Sequence, residues 1–256
     1  MNMIEDEKLY WEHYWKKEVR TDNSFFAEKF LESHNLSINN YFEIGCAPGT
    51  IMAYFAKKYA CKVSGVDIVN SEIIKETLFQ SQVSNYEVFE SDIRKFDSAH
   101  MYDFVGSYGF VEHFTKPEKI INYHKNLVAE NGHLLITIPN VRKLNYLINT
   151  AFGSDFKETQ NLEIMNLKLL RELILDSEFK EVEARYYLTS YFQANENSVK
   201  MDNHPVIQKV YKRMNRTMSQ LNLDDIPNSC LSPYICFWQK EKVLGYNFNK
   251  KNINNY

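Results

Sequence analysis

The sequence predicts an α/β fold in which helices cover both faces of a doubly wound, mainly parallel sheet of seven strands. Short apolar, β-branched runs alternate along the chain with segments whose apolar residues recur at helical spacing. Most of these runs are nearly continuous in hydrophobicity, which is typical of parallel strands buried on both faces. Because ligands bind at the carboxyl ends of such strands, the residues that follow each strand are candidates for a functional site.

The strand runs and the helical patterns can be placed in chain order. Strands are predicted from residue 41 and then at 62–68, 86–89, 102–107, 133–138, 179–192 and 232–239. Helices are predicted from residue 51 and then at 71–81, from 115 onward and at 167–175. Thr115 and Glu118 predict a capping box with Pro117 in the first turn, and Asn131-Gly132 is expected to end that helix.

The pattern predicts one domain over residues 1–245, followed by an Asn- and Lys-rich tail at 246–256 that we expect to be poorly ordered. Within the domain we expect N-terminal helices at 5–35, a core at 40–190, a helical cap insertion at 193–230 and a last strand at 232–240. The first helix is rich in aromatic residues, which suits either packing across the domain or a lid over a substrate.

Composition excludes several classes of protein. The 256 residues are 25% charged and 44% hydrophobic, as in ordinary globular domains, and a net charge of −3 disfavours nucleic acid as a partner. The absence of a long apolar run and of a hydrophobic signal core predicts a cytoplasmic protein without membrane insertion. We also expect a monomer or a homodimer. The four cysteines lack metal-site spacing, so we expect reduced thiols and no metal: Cys46, Cys61, Cys230 and Cys236.

The stretch from Tyr41 to Thr50 reads as a buried strand, a turn of small residues and the start of a helix. Gly45 and Gly49 carry no Cβ, so the backbone there can approach a ligand closely. The helix that follows directs free N–H groups and its positive dipole end toward the same place. This arrangement predicts a nucleotide-like cofactor.

Two common nucleotide motifs do not match this turn. A dinucleotide fingerprint needs glycine at the first, third and sixth positions, where this chain has Gly45, Ala47 and Thr50. A P-loop needs Gly-Lys-Ser/Thr after the turn, and none is present. A dinucleotide oxidoreductase is therefore the weaker interpretation.

Five motifs in order are similar to those of one family. They are Glu43, Gly45 and Gly49 in the first turn, Asp67 at the end of the second strand, Asp92-Ile93 after the third, the segments 102–107 and 112–114 around the fourth, and Asn131-Gly132 before a hydrophobic strand ending at 139–140. Over roughly residues 40–190 the chain resembles class I S-adenosylmethionine-dependent methyltransferases. The resemblance implies a Rossmann-like fold and methyl transfer from S-adenosylmethionine, with S-adenosylhomocysteine as product.

The resemblance also implies roles for individual residues. Asp67 would accept the ribose hydroxyl protons and Asp92 would accept from the adenine amino group. Glu43 would order the turn or reach the cofactor's amino group through water. The remaining cofactor-binding residues implied by motif position are Gly45, Cys46, Ala47 and Gly49 near the methionine part, Ile68 and Ile93 around the adenine ring, and Ser107 and Tyr108 at the amino acid end.

His113 is the candidate catalytic base, because it follows the fourth strand near the expected sulfonium and histidine titrates in the useful range. The other interpretation is that His113 packs or shapes the pocket. Tyr14, His113 and Asn140 are the candidate substrate-binding residues.

The Asn/Asp-Pro-Pro-Tyr/Phe signature of amino-methylating enzymes acting on bases or glutamine is missing, and so is the Pro-Cys of cytosine-C5 enzymes. The sequence therefore favours a small-molecule acceptor. By analogy within the family, we expect a hydroxyl or phosphate oxygen of a sugar, nucleotide-linked or natural-product intermediate, for example in surface-polysaccharide biosynthesis. The alternatives are a small amine, or a cofactor-binding protein without transferase activity.

Overall fold

The strands of the sheet have well-defined bounds in the structure, a computed structural model. It describes residues 3–17, 25–143, 145–147, 160–176, 178–187, 205–220, 227, 229 and 232–241. The strands are β1 (Asn40–Ile44), β2 (Lys62–Asp67), β3 (Tyr86–Glu90), β4 (Tyr102–Tyr108), β5 (Val128–Ile138), β6 (Phe179–Tyr186) and β7 (Tyr234–Lys240). Of the described residues, these form one seven-stranded sheet in the order β3-β2-β1-β4-β5-β7-β6.

Helices lie between most of these strands. They are α1 (Met3–Lys17), α2 (Glu28–Glu32), α3 (Thr50–Tyr59), α4 (Ser71–Gln80), α5 (Pro117–Leu127), α6 (Leu167–Ile174) and α7 (Pro205–Gln220), with a short 3₁₀ turn at Val111–His113. The seven-stranded α/β fold predicted from the sequence is confirmed.

The strand order reverses beside β1, which pairs with β2 on one side and with β4 on the other, both in parallel. Among the described strands, β7 alone runs in the direction opposite to the other six, because both β5 and β6 pair with it antiparallel. At such a reversal the connections leave in opposite directions and open a crevice at the carboxyl ends of the two strands. The turn after β1 and the loop after β4 therefore face one another.

Two hydrophobic cores lie on opposite faces of the sheet. Alternation along β1 sends Phe42 and Ile44 into one core, where α5 and α6 pack, and Tyr41 into the other, where α3 and α4 pack. All three side chains are fully buried. Helices on both faces explain why the strands are apolar almost throughout.

Two local predictions were wrong. Helix α5 is capped at Lys116 without a side-chain hydrogen bond, so Thr115 and Glu118 form no capping box, although Pro117 does occupy the first turn. The helix ends at Leu127, and Asn131 lies inside β5, where three extra residues bulge between its pairings with β4. Asn131 adopts a φ of 61°, so Asn131-Gly132 forms this bulge and does not end the helix.

Other predictions fall partly or wholly outside the described residues. The predicted cap contains a helix, α7. Its side chains at 207, 211, 214 and 218, which are apolar at helical spacing, lie outside the described residues, as do the tail, residues 188–192 and Cys230. Cys46, Cys61 and Cys236 are buried free thiols. Among the described helices, none is both long and apolar enough to cross a membrane. The described residues contain no cluster of His, Cys, Asp or Glu suited to a metal ion.

Candidate cofactor site

The turn after β1 is held in a conformation that favours glycine. Gly45 and Gly49 have φ angles of 74° and 98°, in the left-handed region. A Cβ on Gly45 would lie 2.3 Å from the Phe110 ring, which reaches over from the loop after β4. The backbone N–H of Gly45 donates to the Val66 carbonyl at 2.9 Å. The turn is thus tied to β2 and covered closely by an aromatic side chain.

Asp67, at the end of β2, anchors the same turn. Its carboxylate accepts the backbone N–H of Ala47 at 2.9 Å and that of Val69 at 3.1 Å. Burial raises the pKa of Asp67, while the backbone hydrogen bonds act in the opposite direction. A carboxylate has about four acceptor sites, so Asp67 can still accept hydrogen bonds from a ligand.

Asp92, after β3, is held by Arg94. The Arg94 Nε donates to both carboxylate oxygens at 2.8 Å, and its Nη2 lies 2.7 Å from Oδ2. Burial opposes ionisation of Asp92, but the hydrogen bonds and charge of Arg94 outweigh it and keep the pKa below its usual value. Arg94 also reaches Glu7 of α1, with Nη2 3.2 Å from the Glu7 carboxylate.

Helix α1 lies across the carboxyl edge of the sheet and closes one side of the site. Glu7, Trp11 and Trp15 recur every four residues, so they share one helical face, and this face lines the cavity. Polar contacts fix the helix at several points: besides Glu7, Lys8 bonds Glu90, and the Glu12 carboxylate accepts the Asn70 backbone N–H at 3.1 Å.

These elements enclose a cavity of about 1030 Å³, counted to its open mouth. Part of this volume is open to solvent, so the lining residues, and not the volume, indicate what the cavity can hold. The cavity is lined on one side by the glycine turn after β1. Asp67, which is half-buried and can still accept hydrogen bonds, and the apolar side chains of Ile68 and Ile93 line it as well. These residues fit the polar ribose, the flat adenine and the amino acid end of the cofactor that the resemblance implies.

His113 lines the same cavity from the 3₁₀ turn after β4. Its ring meets Trp11 edge-on, with ring centroids 4.9 Å apart at 78°. The neighbouring Glu112 is buried, its Oε1 lies 3.9 Å from His113 Nε2, and its Oε2 has no hydrogen-bond partner among the described residues. Burial raises the pKa of Glu112 to about 8.

The structure brings most of the predicted site residues to this cavity. Those lining it are Glu43, Gly45, Cys46, Ala47, Asp67, Ile68, Asp92, Ile93, Tyr108 and His113. Gly49 is placed behind the wall, as the N-cap of α3 against Ile74.

Three other predicted residues do not line the cavity, so their predicted roles stay predictions. Ser107 is buried on the far side of β4, where its hydroxyl lies 2.8 Å from His124 Nε2. Asn140 is buried too, and its side-chain amide contacts Ser229 and the Arg142 backbone. Tyr14 packs edge-on against the rings of Trp11 and Trp15 without lining the cavity. The alternation of side chains along β4 explains the placement of Ser107, and the helical spacing of α1 explains that of Tyr14.

Sequence reasoning missed several lining residues, chiefly Glu7, Trp11, Trp15, Arg94, Phe110 and Phe114. The four-residue spacing on α1 was a usable signal, because it places both tryptophans on the face opposite to Leu9, which is 64% exposed. The contact of Phe110 with Gly45 depends on two loops meeting across the strand-order reversal, which no local pattern indicates.

Comparisons with known proteins agree with this geometry. Residues 11–184 match the family described as "Methyltransferase domain". The pavine N-methyltransferase of Thalictrum flavum subsp. glaucum is 27% identical over 97 residues. That match covers 37% of this chain and only 27% of the relative's length.

Two solved structures are similar in fold. Coclaurine N-methyltransferase bound to N-methylheliamine and S-adenosylhomocysteine has a TM-score of 0.57 and 15% identity, covering 84% of this chain and 71% of that one. The N-methyltransferase NodS from Bradyrhizobium japonicum WM9, in complex with S-adenosylhomocysteine, has a TM-score of 0.53 and 11% identity, covering 90% and 98%. The family match extends over more than half of this chain. The chain therefore belongs to the class I S-adenosylmethionine-dependent methyltransferases.

Proposed function

We propose that this protein transfers a methyl group from S-adenosylmethionine to a small-molecule acceptor. The observation that supports this proposal is the cavity itself, in which the glycine turn, Asp67 and His113 meet under helix α1. When bound, S-adenosylmethionine supplies a methyl group that its positively charged sulfur has already activated. The protein's own tasks are then to orient the two ligands, to exclude water and to accept a proton from the acceptor.

Each lining residue has a part in these tasks. Asp67 accepts hydrogen bonds from ribose hydroxyls, while its bond from Ala47 keeps the turn in place. Ile68 and Ile93 hold the adenine ring between apolar surfaces. Asp92 acts at the adenine edge together with Arg94, since both carboxylate oxygens already accept from the guanidinium.

His113 is the proposed base. Its ring lines the cavity with 16% of the side chain exposed, so it can reach an acceptor while it remains shielded from bulk water. Trp11 packs against its edge and restricts its orientation. A neutral imidazole at this position would accept the proton that the acceptor oxygen or nitrogen loses as the methyl group is transferred.

We consider two classes of acceptor. The first is a hydroxyl or phosphate oxygen of a sugar, nucleotide-linked or natural-product intermediate, as expected from the sequence. The second is a small amine, which the charge of the cavity favours. Among the described residues that line it, four carry carboxyl groups (Glu7, Glu43, Asp67 and Asp92), and Arg94, the one Lys or Arg among them, is already paired with Glu7 and Asp92.

The indole of Trp11 beside these acids also suits a cationic amine. The relative named as a pavine N-methyltransferase supports the same class. A phosphate group would meet repulsion from the acidic lining. We therefore place the amine ahead of the phosphate-bearing acceptor, and a neutral hydroxyl between them.

Thermal unfolding with added ligands tests the cofactor. S-adenosylhomocysteine at about a hundred times its Kd should stabilise the folded protein by about 2.7 kcal/mol. NADH, the ligand of the dinucleotide alternative, should leave the melting temperature unchanged. Stabilisation by NADH without stabilisation by S-adenosylhomocysteine would overturn the proposal.

Methyl incorporation tests the transferase activity and the base. We would offer matched panels of small amines, neutral sugars and nucleotide-linked sugars, with S-adenosylmethionine carrying a labelled methyl group. Once an acceptor is found, His113→Ala should lower kcat more than about a hundredfold with the Kd of S-adenosylhomocysteine unchanged. Near-normal turnover of the variant would eliminate His113 as the base. Binding of the cofactor without incorporation into any panel would favour a cofactor-binding protein.

A further inference from the structure

Tyr41 and Glu43 lie on the same face of β1, two residues apart. The Tyr41 ring is fully buried beneath α3, where it stacks on Phe55 with centroids 3.8 Å apart and planes within 3°. The ring has no freedom to swing away from this position. Its hydroxyl therefore meets the Glu43 carboxylate at a defined place, with 3.1 Å between Tyr41 Oη and Glu43 Oε2.

Tyr108 reaches the same hydroxyl from the neighbouring strand. Glu43 pairs with Gly106 across the β1–β4 ladder, and the Tyr108 side chain folds back over that glycine. A Cβ on Gly106 would lie 2.4 Å from Tyr108 Oη, so the missing side chain leaves room for the phenol. The hydroxyl oxygens of Tyr108 and Tyr41 are 3.3 Å apart.

The donors in this chain can be assigned from the number of protons. An ionised carboxylate only accepts, so Tyr41 donates its single hydroxyl proton to Glu43. With that proton committed to Glu43, the contact between the two phenols requires the Tyr108 hydroxyl to turn its own proton toward the Tyr41 oxygen, whereas a protonated Glu43 leaves Tyr41 free to donate to Tyr108. Burial raises the pKa of Glu43 well above its ordinary value, and the hydrogen bond from Tyr41 only partly opposes this effect. Two tyrosines therefore hold a buried carboxylate in one orientation at the wall of the cavity.

We propose that Tyr41 and Tyr108 are positioning residues that hold the Glu43 carboxylate as the partner for the amino group of the cofactor's methionine part. The inference rests on the proposed function, because it takes that cofactor as the occupant of the cavity. Glu43 and Tyr108 both line the cavity, whereas Tyr41 acts only through them. A positively charged amino group gains most from a carboxylate whose orientation is fixed before binding.

Calorimetry with two ligands isolates the amino group. One ligand is S-adenosylhomocysteine, and the other is its deaminated analogue, with hydrogen in place of the amino group. The wild-type protein should prefer the first ligand. Tyr41→Phe keeps the stacked ring but removes the donor, so the Kd for S-adenosylhomocysteine should rise about tenfold. The Kd for the deaminated analogue should stay within about twofold of its wild-type value.

Tyr108→Phe provides a second variant at a less buried position, and it should raise the Kd for S-adenosylhomocysteine by a smaller factor while leaving the Kd for the deaminated analogue unchanged. Tyr59→Phe is the matched control: its ring also packs on Phe55, but among the described residues it is Tyr41 and not Tyr59 that bonds Glu43, so its two Kd values should stay at wild type. Equal weakening of both ligands by Tyr41→Phe, or the same loss in Tyr59→Phe, would overturn the inference. If the wild-type protein bound neither ligand, the proposed function itself would fail.

Discussion

The indole of Trp11 packs edge-on against the imidazole of His113, with 4.9 Å between the ring centroids. One ring belongs to the N-terminal helix α1 and the other to the 3₁₀ turn after β4. The contact joins the part of the chain that closes the cavity to the residue proposed as base. It also predicts a kinetic role for a helix that contributes nothing to the sheet.

Trp11→Ala should lower kcat about tenfold at saturating cofactor, because small losses of alignment at a reacting group are costly. The free energy of unfolding should fall as well, because the Trp11 side chain packs against the core on that face of the sheet. Steady-state kinetics with the acceptor identified above would measure this effect. Leu9→Ala, at a 64% exposed position of the same helix, is the control and should behave as wild type. Unchanged kcat in Trp11→Ala would show that the ring does not orient His113.

The buried His124 should make stability fall in acid. Its Nδ1 contacts the Ile120 carbonyl at 2.7 Å and its Nε2 contacts Ser107. Burial lowers its pKa from 6.5 to about 4. The unfolded chain therefore binds a proton more readily than the folded one between these values. Stability is complete above pH 6.5 and falls with pH, by about 2 kcal/mol at pH 5 and about 3 kcal/mol near pH 4.

Urea unfolding at pH 7 and pH 5 measures this loss. His124→Gln should have a smaller difference between the two pH values than the wild type, whatever its absolute stability. His100→Gln, at an exposed position, is the matched control and should keep the wild-type difference. An unaltered difference in His124→Gln would show that other groups cause the acid sensitivity.

The buried Glu112 should make the free energy of unfolding fall as the pH rises, whereas His124 makes it fall as the pH drops. Burial raises its pKa from 4.5 to about 8, so the folded state retains a proton that the unfolded chain releases. This contribution to stability is fully present below pH 4.5 and is lost as the pH rises to 8, by about 4 kcal/mol. Glu112→Gln, which stays neutral, should lose this slope and unfold at higher urea than the wild type at pH 8.5. Glu118→Gln, on an exposed site of α5, should retain the slope.

Gly45→Ala should destabilise the protein and weaken cofactor binding. The positive φ costs about 1–2 kcal/mol for a residue with a Cβ, and overlap with Phe110 adds about 1–3 kcal/mol. Gly109→Ala separates the two effects, because Gly109 has a φ of 68° but its Cβ would be 3.4 Å from the nearest atom. Urea unfolding should rank Gly45→Ala below Gly109→Ala. Equal stability of the two variants would mean that the Phe110 ring yields without cost.

The chain's periodicity was enough to predict the sheet, because parallel strands buried on both faces must be apolar almost throughout. The cofactor wall was also predictable, since Gly45, Asp67 and Asp92 directly follow three adjacent strands. The predicted roles of Ser107 and Asn140 stay predictions, although the side chain of Ser107 contacts His124 on the other face of β4 and that of Asn140 contacts Ser229. Arg94 binds Asp92 from two residues away, and no periodic pattern distinguishes that pairing from an exposed arginine.

Helix α1 supplies Glu7, Trp11 and Trp15 to the cavity, whereas the sheet begins only at Asn40. A shortened protein that started at Phe25 would retain all seven described strands and the buried side chains of α2, and would lose one wall of its binding site. The smallest piece able to fold is therefore shorter than the smallest piece able to hold its ligands. Any fusion, tag or cleavage near the N-terminus should be judged by its effect on the cavity, even when the fold is unharmed.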